Sequence, residues 1–303
     1  METNSDLLVE IVKECSKLGY ELKKIACMNQ KMLFDEQGIN AYGEISLRVD
    51  LMLEELCMNF FKNNKHIHMI ISEESGCINL GEGIFTVVLD PLDGTKNFTM
   101  GLSYYACSIA ILDEKNEVLG AYVINLSNGH EYTAVKGRGA FRNGVPIHTT
   151  IHKNLTECDG IFVGLSKSNL ELNIIKRIVS QLNSYRAMGC AALDLCCLAT
   201  GFASVFFDLS NTAKLVDVLA ASLILEEAGG IITNSFGKPI TSFPSHIDLE
   251  DVVLHQKFLT IAAANDNLHG SLLKVAGLRK RNNIIYKEDY HVSNTHARYL
   301  WGI

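Results

Sequence analysis

The sequence lacks the marks of several protein classes. No apolar stretch approaches the roughly 18 residues that a membrane span needs, so no transmembrane helix is expected. Met1 to Glu10 carries the acids Glu2, Asp6 and Glu10 and no basic segment, so it does not read as a signal peptide. Nine cysteines include no CxxC pair and sit at irregular spacings. They read as buried thiols in a reducing cytosol, not as disulfides or a zinc site, and the expected location is cytoplasmic. A net charge of −7 gives no electrostatic case for nucleic acid, and the cluster Arg279-Lys280-Arg281 reads as a solvated tail. Neither nucleic acid nor membrane is therefore an expected partner. No internal repeat and no long flexible linker is visible. At 48% apolar and 20% charged over 303 residues, the chain is an ordinary globular one, long enough for one large domain or two smaller ones.

What is present begins with periodicity. Leu8, Ile11, Val12, Cys15, Leu18, Leu22 and Ile25 recur at helical spacing, so residues 5–27 read as an amphipathic helix. A second helix is expected over 49–62, after a polar, glycine-containing connection at 35–45. Strands are expected at 84–89, 106–112, 118–124 and 131–135, with turn signals at 113–116, 127–129 and 142–144. The second half alternates instead. Strands are expected at 161–165, 203–209, 231–233 and 260–264, and helices at 170–182, 191–200 and 217–228. Gly201 and Gly229 close the last two helices. The expected fold class is α+β / α/β, with an N-terminal α+β half (1–150), a C-terminal α/β half (151–277) and an irregular extension (278–303). The extension closes on Tyr299-Leu300-Trp301, which holds the chain's single tryptophan and receives no role.

The most informative segment is Asp90-Pro91-Leu92-Asp93-Gly94-Thr95, directly after the apolar run at 84–89. Pro91 lacks an N–H and is expected to end that strand. Asp90 and Asp93 then share one tight turn. Carboxylate oxygens of this kind suit Mg²⁺, which often takes one or two carboxylates plus a substrate phosphate. Gly94 allows close backbone approach, and a helix starting near Thr95 would present free N–H groups to an anion. A bare DxxDG is equally compatible with an Asp/Gly turn that binds nothing. The spacing of three argues against haloacid dehalogenase phosphatases, whose carboxylates stand two apart with one as nucleophile. It favours a metal-bound water as the nucleophile. The alternating ligands of an EF-hand are absent as well.

Other acids can join this turn. Glu73 and Glu74 follow the apolar pair Ile70-Ile71, and alone they fit a surface loop. Asp50 lies at the start of the second helix, where an acid often serves only the helix dipole. Asp217 opens an apolar helix that looks buried, and a carboxylate there needs a partner, such as a metal.

Together these pieces resemble the inositol monophosphatase superfamily, the lithium-sensitive Mg²⁺-dependent sugar phosphatases. The matching segments are Glu73-Glu74-Ser75, Asp90 to Thr95 with Asn97-Phe98, Gly137-Arg138-Gly139-Ala140-Phe141, Asn143-Gly144, Gly189-Cys190-Ala191-Ala192, and Asp217 with Glu227-Ala228-Gly229-Gly230. They stand in family order across residues 5–270. The segment Tyr42 to Asp50 and the run Ser72-Glu73-Glu74-Ser75-Gly76 look most like the archaeal-type branch, whose members often cleave both inositol 1-phosphate and fructose 1,6-bisphosphate.

The resemblance implies a layered αβαβα sandwich and a homodimer. It implies metal ligation by Glu73, Asp90, the Leu92 carbonyl, Asp93 and Asp217, with two to three Mg²⁺ per site, Mn²⁺ as an alternative and Li⁺ as an inhibitor. Asp50, Thr95 and Glu73 would be catalytic, with Asp50 taking the proton of the attacking water through the Thr95 hydroxyl. Asp93 and the amides of Gly94 and Thr95 would bind phosphate. Gly189, Cys190, Ala191, Asp208, Arg186 and Lys214 would contact substrate, with Arg186 and Lys214 as candidates for a second phosphate or as plain surface cations. About five negative charges would meet in one cleft. Two of them at 4 Å repel by roughly 4 kcal/mol at an effective dielectric of 20, which bound metal relieves. Two departures stand out. Val216 stands where many members have tryptophan; archaeal-type members also tend to lack it, so this does not count as loss of activity. The link from Asp208 to Asp217 is about two residues longer than in animal inositol phosphatases, which leaves substrate choice open. Other readings are a 3′-phosphatase of adenosine 3′,5′-bisphosphate and an inactive homologue kept as a regulatory subunit. The latter expects eroded ligand positions, and none is eroded here.

Overall fold

The computed structural model describes residues 4–28, 33–164, 168–209, 213–234, 237–255, 259–281 and 284–286. Helices α1 (Asn4–Ala26) and α2 (Arg48–Lys62) bracket a short antiparallel hairpin, β1 (Glu36–Ile39) and β2 (Ile45–Leu47). Next come β3 (Ile67–Ser72), β4 (Gly76–Asn79), β5 (Phe85–Asp93) and the short helix α3 (Thr95–Thr99). They lead into β6 (Ala106–Leu112), β7 (Val118–Asn125), β8 (Glu131–Val135), β9 (Ala140–Arg142) and β10 (Val145–Pro146). The rest alternates more: β11 (Asp159–Phe162), α4 (Asn169–Val179), β12 (Ser184–Arg186), α5 (Ala191–Ala199) and β13 (Val205–Asp208). Then follow α6 (Leu215–Glu227), β14 (Ile231–Asn234), α7 (Leu249–His255), β15 (Thr260–Ala263) and α8 (Asp266–Ala276).

Among the described residues the strands form two large sheets. The first has the order β10-β9-β8-β7-β6-β5-β3-β4 and is antiparallel except where β3 runs parallel to β5. The second has the order β12-β11-β13-β15-β14. It is mixed, because β15 runs antiparallel to both its neighbours.

The pleat explains the layering. Side chains of a strand alternate between faces. In β5, Phe85, Val87 and Leu89 join α1 and α2 in one core, while Val88 joins α5 and α6 in another. Strand β6 divides in the same way, with Cys107, Ile109 and Ile111 on one side and Ala106, Ala110 and Leu112 on the other. A third core packs α4 and α8 on the outer face of the second sheet. The stack is therefore α1/α2, first sheet, α5/α6, second sheet, α4/α8, a layered αβαβα arrangement. Helix α6 is apolar all round, and Leu215 to Leu225 are all buried, as its place between two sheets requires.

Several sequence expectations need correction. Strand β5 does not end at Pro91. It runs to Asp93, and the cost of the missing N–H appears as a register shift between Asp90 and Asp93. The connection at 35–45 contains the β1–β2 hairpin, and β4, β12 and α7 have sequences too short or too polar to announce themselves. Residues 279–286 are not wholly irregular, since β16 (Arg279–Arg281) and β17 (Ile284–Tyr286) pair antiparallel. The closing Tyr299-Leu300-Trp301 lies outside the described residues. Among the described residues no helix is long and apolar enough to cross a membrane.

Candidate functional site

The register of the first sheet assembles the first two acids. Ser72 pairs with Leu89 across the parallel β3–β5 ladder, and the Glu73 N–H continues it by donating to the Leu89 carbonyl at 3.1 Å. Glu73 therefore arrives beside Asp90, the next residue of β5. Asp90 folds over Pro91 in an Asx turn, its Oδ1 accepting the Leu92 N–H at 2.8 Å.

Two helix starts deliver two further acids by one local device. Asp50 and Asp217 each occupy the third position of their helix. Each carboxylate reaches back to the N–H of the residue before the helix: Leu47 N to Asp50 Oδ2 at 2.7 Å, and Lys214 N to Asp217 Oδ2 at 2.8 Å. This satisfies an N–H that a helix N-terminus leaves open and sets a negative group on the positive end of the dipole. It also explains why α6 begins at Leu215 and not at Asp217, as expected from sequence. One carboxylate oxygen from each of Glu73, Asp90 and Asp217 lies within 4.8 Å of the others.

Electrostatics match this crowding. Burial raises Asp90 well above the ordinary carboxylate range, with Glu73, Asp217 and Asp93 adding to the rise. Burial likewise raises Asp217, helped by Asp93 and Glu73 and opposed by Lys214. Asp50 is pushed up to about 7 by burial, against the pull of the Leu47 N–H. Its Oδ1 is buried without a hydrogen-bond partner, a condition that costs about 1–3 kcal/mol unless a donor arrives. An all-oxygen group of three acids within 4.8 Å of one another, two of them with raised pKa values, fits a hard divalent cation with its waters.

Asp93 stands apart from the three-acid group. Its Oδ2 accepts the Ala192 N–H at 2.7 Å and the Cys190 thiol at 3.2 Å, so it closes the N-terminus of α5. Burial pushes it up to about 6, with the Ala192 N–H opposing. Gly94 follows with φ 88°, and α3 begins at Thr95 as expected. The Thr95 hydroxyl donates to the Leu92 carbonyl at 2.9 Å, so its proton is not directed at Asp50.

The expected substrate contacts divide. Gly189, Cys190 and Ala191 lie against the turn, because the Asn97 amide donates to the Met188 and Tyr104 carbonyls and Asp93 holds the α5 start. Asp208 is fully buried, and its Oδ2 accepts the Ala213 N–H at 2.8 Å. Arg186 is exposed on the edge strand β12, with Nη1 on the Tyr185 carbonyl. Lys214 is spent within the site: its Nζ lies 2.7 Å from Glu73 Oε1 and 2.8 Å from Glu44 Oε2.

Sequence reading missed two supporting acids. Glu54 is buried one helical turn after Asp50, and it accepts from Ser72 Oγ, Ser75 N and Ser75 Oγ, which holds the corner carrying Glu73 and Glu74. Ser46 Oγ holds Glu74 from the other side. Asp194 is buried in α5 and accepts the Tyr104 hydroxyl at 2.9 Å. The available signals were the i, i+4 spacing of Asp50 and Glu54, and a lone acid in the apolar run Ala191 to Ala199. The glycines of Gly137-Arg138-Gly139 also find their reason here. The N–H groups of Gly137 and Gly139 donate to the two oxygens of Glu227, which joins two of the matching segments without touching the acids.

Comparison with known proteins identifies relatives of the chain and of its fold. A model of the "Inositol monophosphatase family" matches residues 11–277. The chain is 31% identical over 251 residues to a fructose-1,6-bisphosphatase/inositol-1-monophosphatase of Methanothermobacter thermautotrophicus, covering 78% of this chain and 85% of that protein. It is 29% identical over 266 residues to an inositol monophosphatase of Mesembryanthemum crystallinum, covering 84% and 95%. Among solved structures, the extragenic suppressor protein suhB from Bartonella henselae superposes with a TM-score of 0.73 at 21% identity, over 89% of this chain and 98% of that one. At that identity the likeness is one of fold.

Proposed function

The chain belongs to the inositol monophosphatase family, and on that premise we propose that it is a Mg²⁺-dependent phosphomonoesterase of small sugar and polyol phosphates, inositol 1-phosphate and fructose 1,6-bisphosphate foremost. The observation that carries this reading is the convergence of Glu73, Asp90 and Asp217 within 4.8 Å, one turn of chain from Gly94 and Thr95. The relative from Methanothermobacter thermautotrophicus, named a fructose-1,6-bisphosphatase/inositol-1-monophosphatase, supports the substrate pair.

In this reading Glu73, Asp90, Asp93, Asp217 and the Leu92 carbonyl would hold the cation. Bound Mg²⁺ would supply Lewis-acid polarisation of the phosphoryl group and a water of lowered pKa. The chain does the rest. The left-handed turn at Gly94 exposes the N–H groups of Gly94 and Thr95, which receive phosphate oxygens. Asp50 offers an unpartnered Oδ1 to the proton of the attacking water, and a pKa near 7 suits a general base. The start of α5 fixes the direction of Asp93, so the phosphate and the acids keep one geometry.

The test is phosphate release from inositol 1-phosphate, fructose 1,6-bisphosphate and adenosine 3′,5′-bisphosphate, with Mg²⁺, Mn²⁺ or EDTA, and with and without Li⁺. Turnover of the first two that needs Mg²⁺ and falls with Li⁺ is expected. No turnover of any sugar phosphate overturns the reading, and turnover of the nucleotide alone replaces the substrate class.

A further inference from the structure

Lys214 occupies an unusual position for a lysine. Its Nζ lies 2.7 Å from Glu73 and 2.8 Å from Glu44, and 4.3 Å from the centre of the Tyr42 ring. The side chain is 9% exposed. Two carboxylates at ion-pair distance hold this side chain as an ammonium in spite of its burial. Glu73 also belongs to the three-acid group with Asp90 and Asp217. One carboxylate therefore faces two claims from cations, one of them covalently attached to the chain.

The second partner gives the ammonium somewhere to go. Glu44 is 55% exposed, on the turn between β1 and β2, whereas Glu73 is 14% exposed. Leaving Glu73 while keeping Glu44 costs the lysine one of two ion pairs and moves it toward solvent. A divalent ion at Glu73 and an ammonium at the same carboxylate repel strongly at such short range.

We infer that Lys214 is a built-in competitor for the metal site: its ammonium occupies Glu73 until a divalent cation displaces it onto Glu44. This rests on the metal-site reading above. The lysine then sets the Mg²⁺ concentration at which the site fills. It also is not a free cation awaiting a second substrate phosphate.

The test is calorimetric titration of Mg²⁺ into EDTA-stripped full-length protein, without substrate, alongside thermal unfolding with and without Mg²⁺. Lys214→Met is expected to bind Mg²⁺ about tenfold more tightly than wild type, the size of one close charge pair, and to gain more thermal stability from it. Lys214→Gln, which keeps hydrogen bonding without charge, carries the same expectation if the methionine variant does not fold. Glu44→Gln, an exposed change, should bind Mg²⁺ more weakly, because the ammonium loses its second seat. Equal or weaker binding in the neutral Lys214 variants, or equal or tighter binding in Glu44→Gln, overturns the inference while leaving the metal site intact. An absence of saturable Mg²⁺ binding to wild type, or its persistence unchanged in Asp90→Asn, overturns the metal-site reading and this inference with it.

Discussion

Asp93 Oδ2 accepts the Ala192 N–H at 2.7 Å across 99 residues of chain, so the acidic turn after β5 closes the N-terminus of α5. The residue therefore has a structural duty beside the one its motif implies. The two separate by substitution. Asp93→Asn keeps an acceptor for the Ala192 N–H and removes a buried charge, so the metal-free protein should be at least as stable as wild type. Asp93→Ala loses the cap and should unfold about 1 kcal/mol more easily than Asp93→Asn. Phosphate release should nearly vanish in both. Urea unfolding in EDTA, beside a phosphate assay, checks this; retained activity in Asp93→Asn refutes its place in the site.

Stability of the metal-free protein should depend on pH in a definite direction. Burial pushes Asp50 up to about 7 and Asp93 up to about 6 from an ordinary 3.8. Between these values the folded state holds protons that the unfolded chain has released. Their contribution to stability is therefore complete below about pH 3.8 and is lost as pH rises through 6 and 7. Urea midpoints in EDTA should fall from pH 5 to pH 8. Saturating Mg²⁺, which binds the deprotonated carboxylates, should flatten or reverse that fall. A rise in EDTA over the same range contradicts the burial of these acids.

Gly94 meets two constraints at once. Its φ is 88°, and an added Cβ would lie 3.1 Å from the Tyr104 carbonyl and 3.2 Å from Cys190 Cβ. Gly101 has φ 72° with nothing within 4 Å. Gly101→Ala pays only the conformational cost of about 1–2 kcal/mol, whereas Gly94→Ala must also shift the turn. We expect Gly94→Ala to be the less stable of the two and to lose roughly 10²-fold in turnover, the scale of a small misplacement. Equal unfolding midpoints for the two variants would show that the turn absorbs the methyl group.

The thiols offer a chemical check on the core. Among the nine cysteines, Cys27 is exposed, Cys77 and Cys197 are partly buried, and the other six are buried. Burial also raises Cys15, Cys190 and Cys196, which keeps them as thiols. Ellman's reagent should modify Cys27 rapidly in the native protein, Cys77 and Cys197 slowly, and all nine after denaturation. Fast loss of more than three thiols from native protein disagrees with this packing.

Much of this protein is legible locally. Apolar, β-rich runs bounded by turn residues announce β5 to β8, helical spacing announces α1, and an all-apolar helix announces the buried α6. The acids at 50, 73, 90, 93 and 217 are each legible as carboxylates near strand ends, turns or helix starts, but they become a set in the sequence only through the resemblance of the surrounding segments to one family. Pro91 shows the limit of local rules. A missing N–H predicts a strand end, yet the neighbouring strands hold β5 in the sheet and confine the defect to a shift of register.

What each acid touches is decided only in three dimensions. Lys214 reaches Glu73 across 141 residues and Glu44 across 170. Asp208 turns inward to the loop before α6, and Glu54 clamps the corner of Glu73. Local sequence encodes backbone preference and the choice of apolar face, which are short-range properties. Coulomb energy and desolvation depend on which groups the folded chain encloses together. The Asp-Gly-Thr turn could therefore be named from its spacing, while the cation that already claims one of its carboxylate neighbours could be found only in the fold.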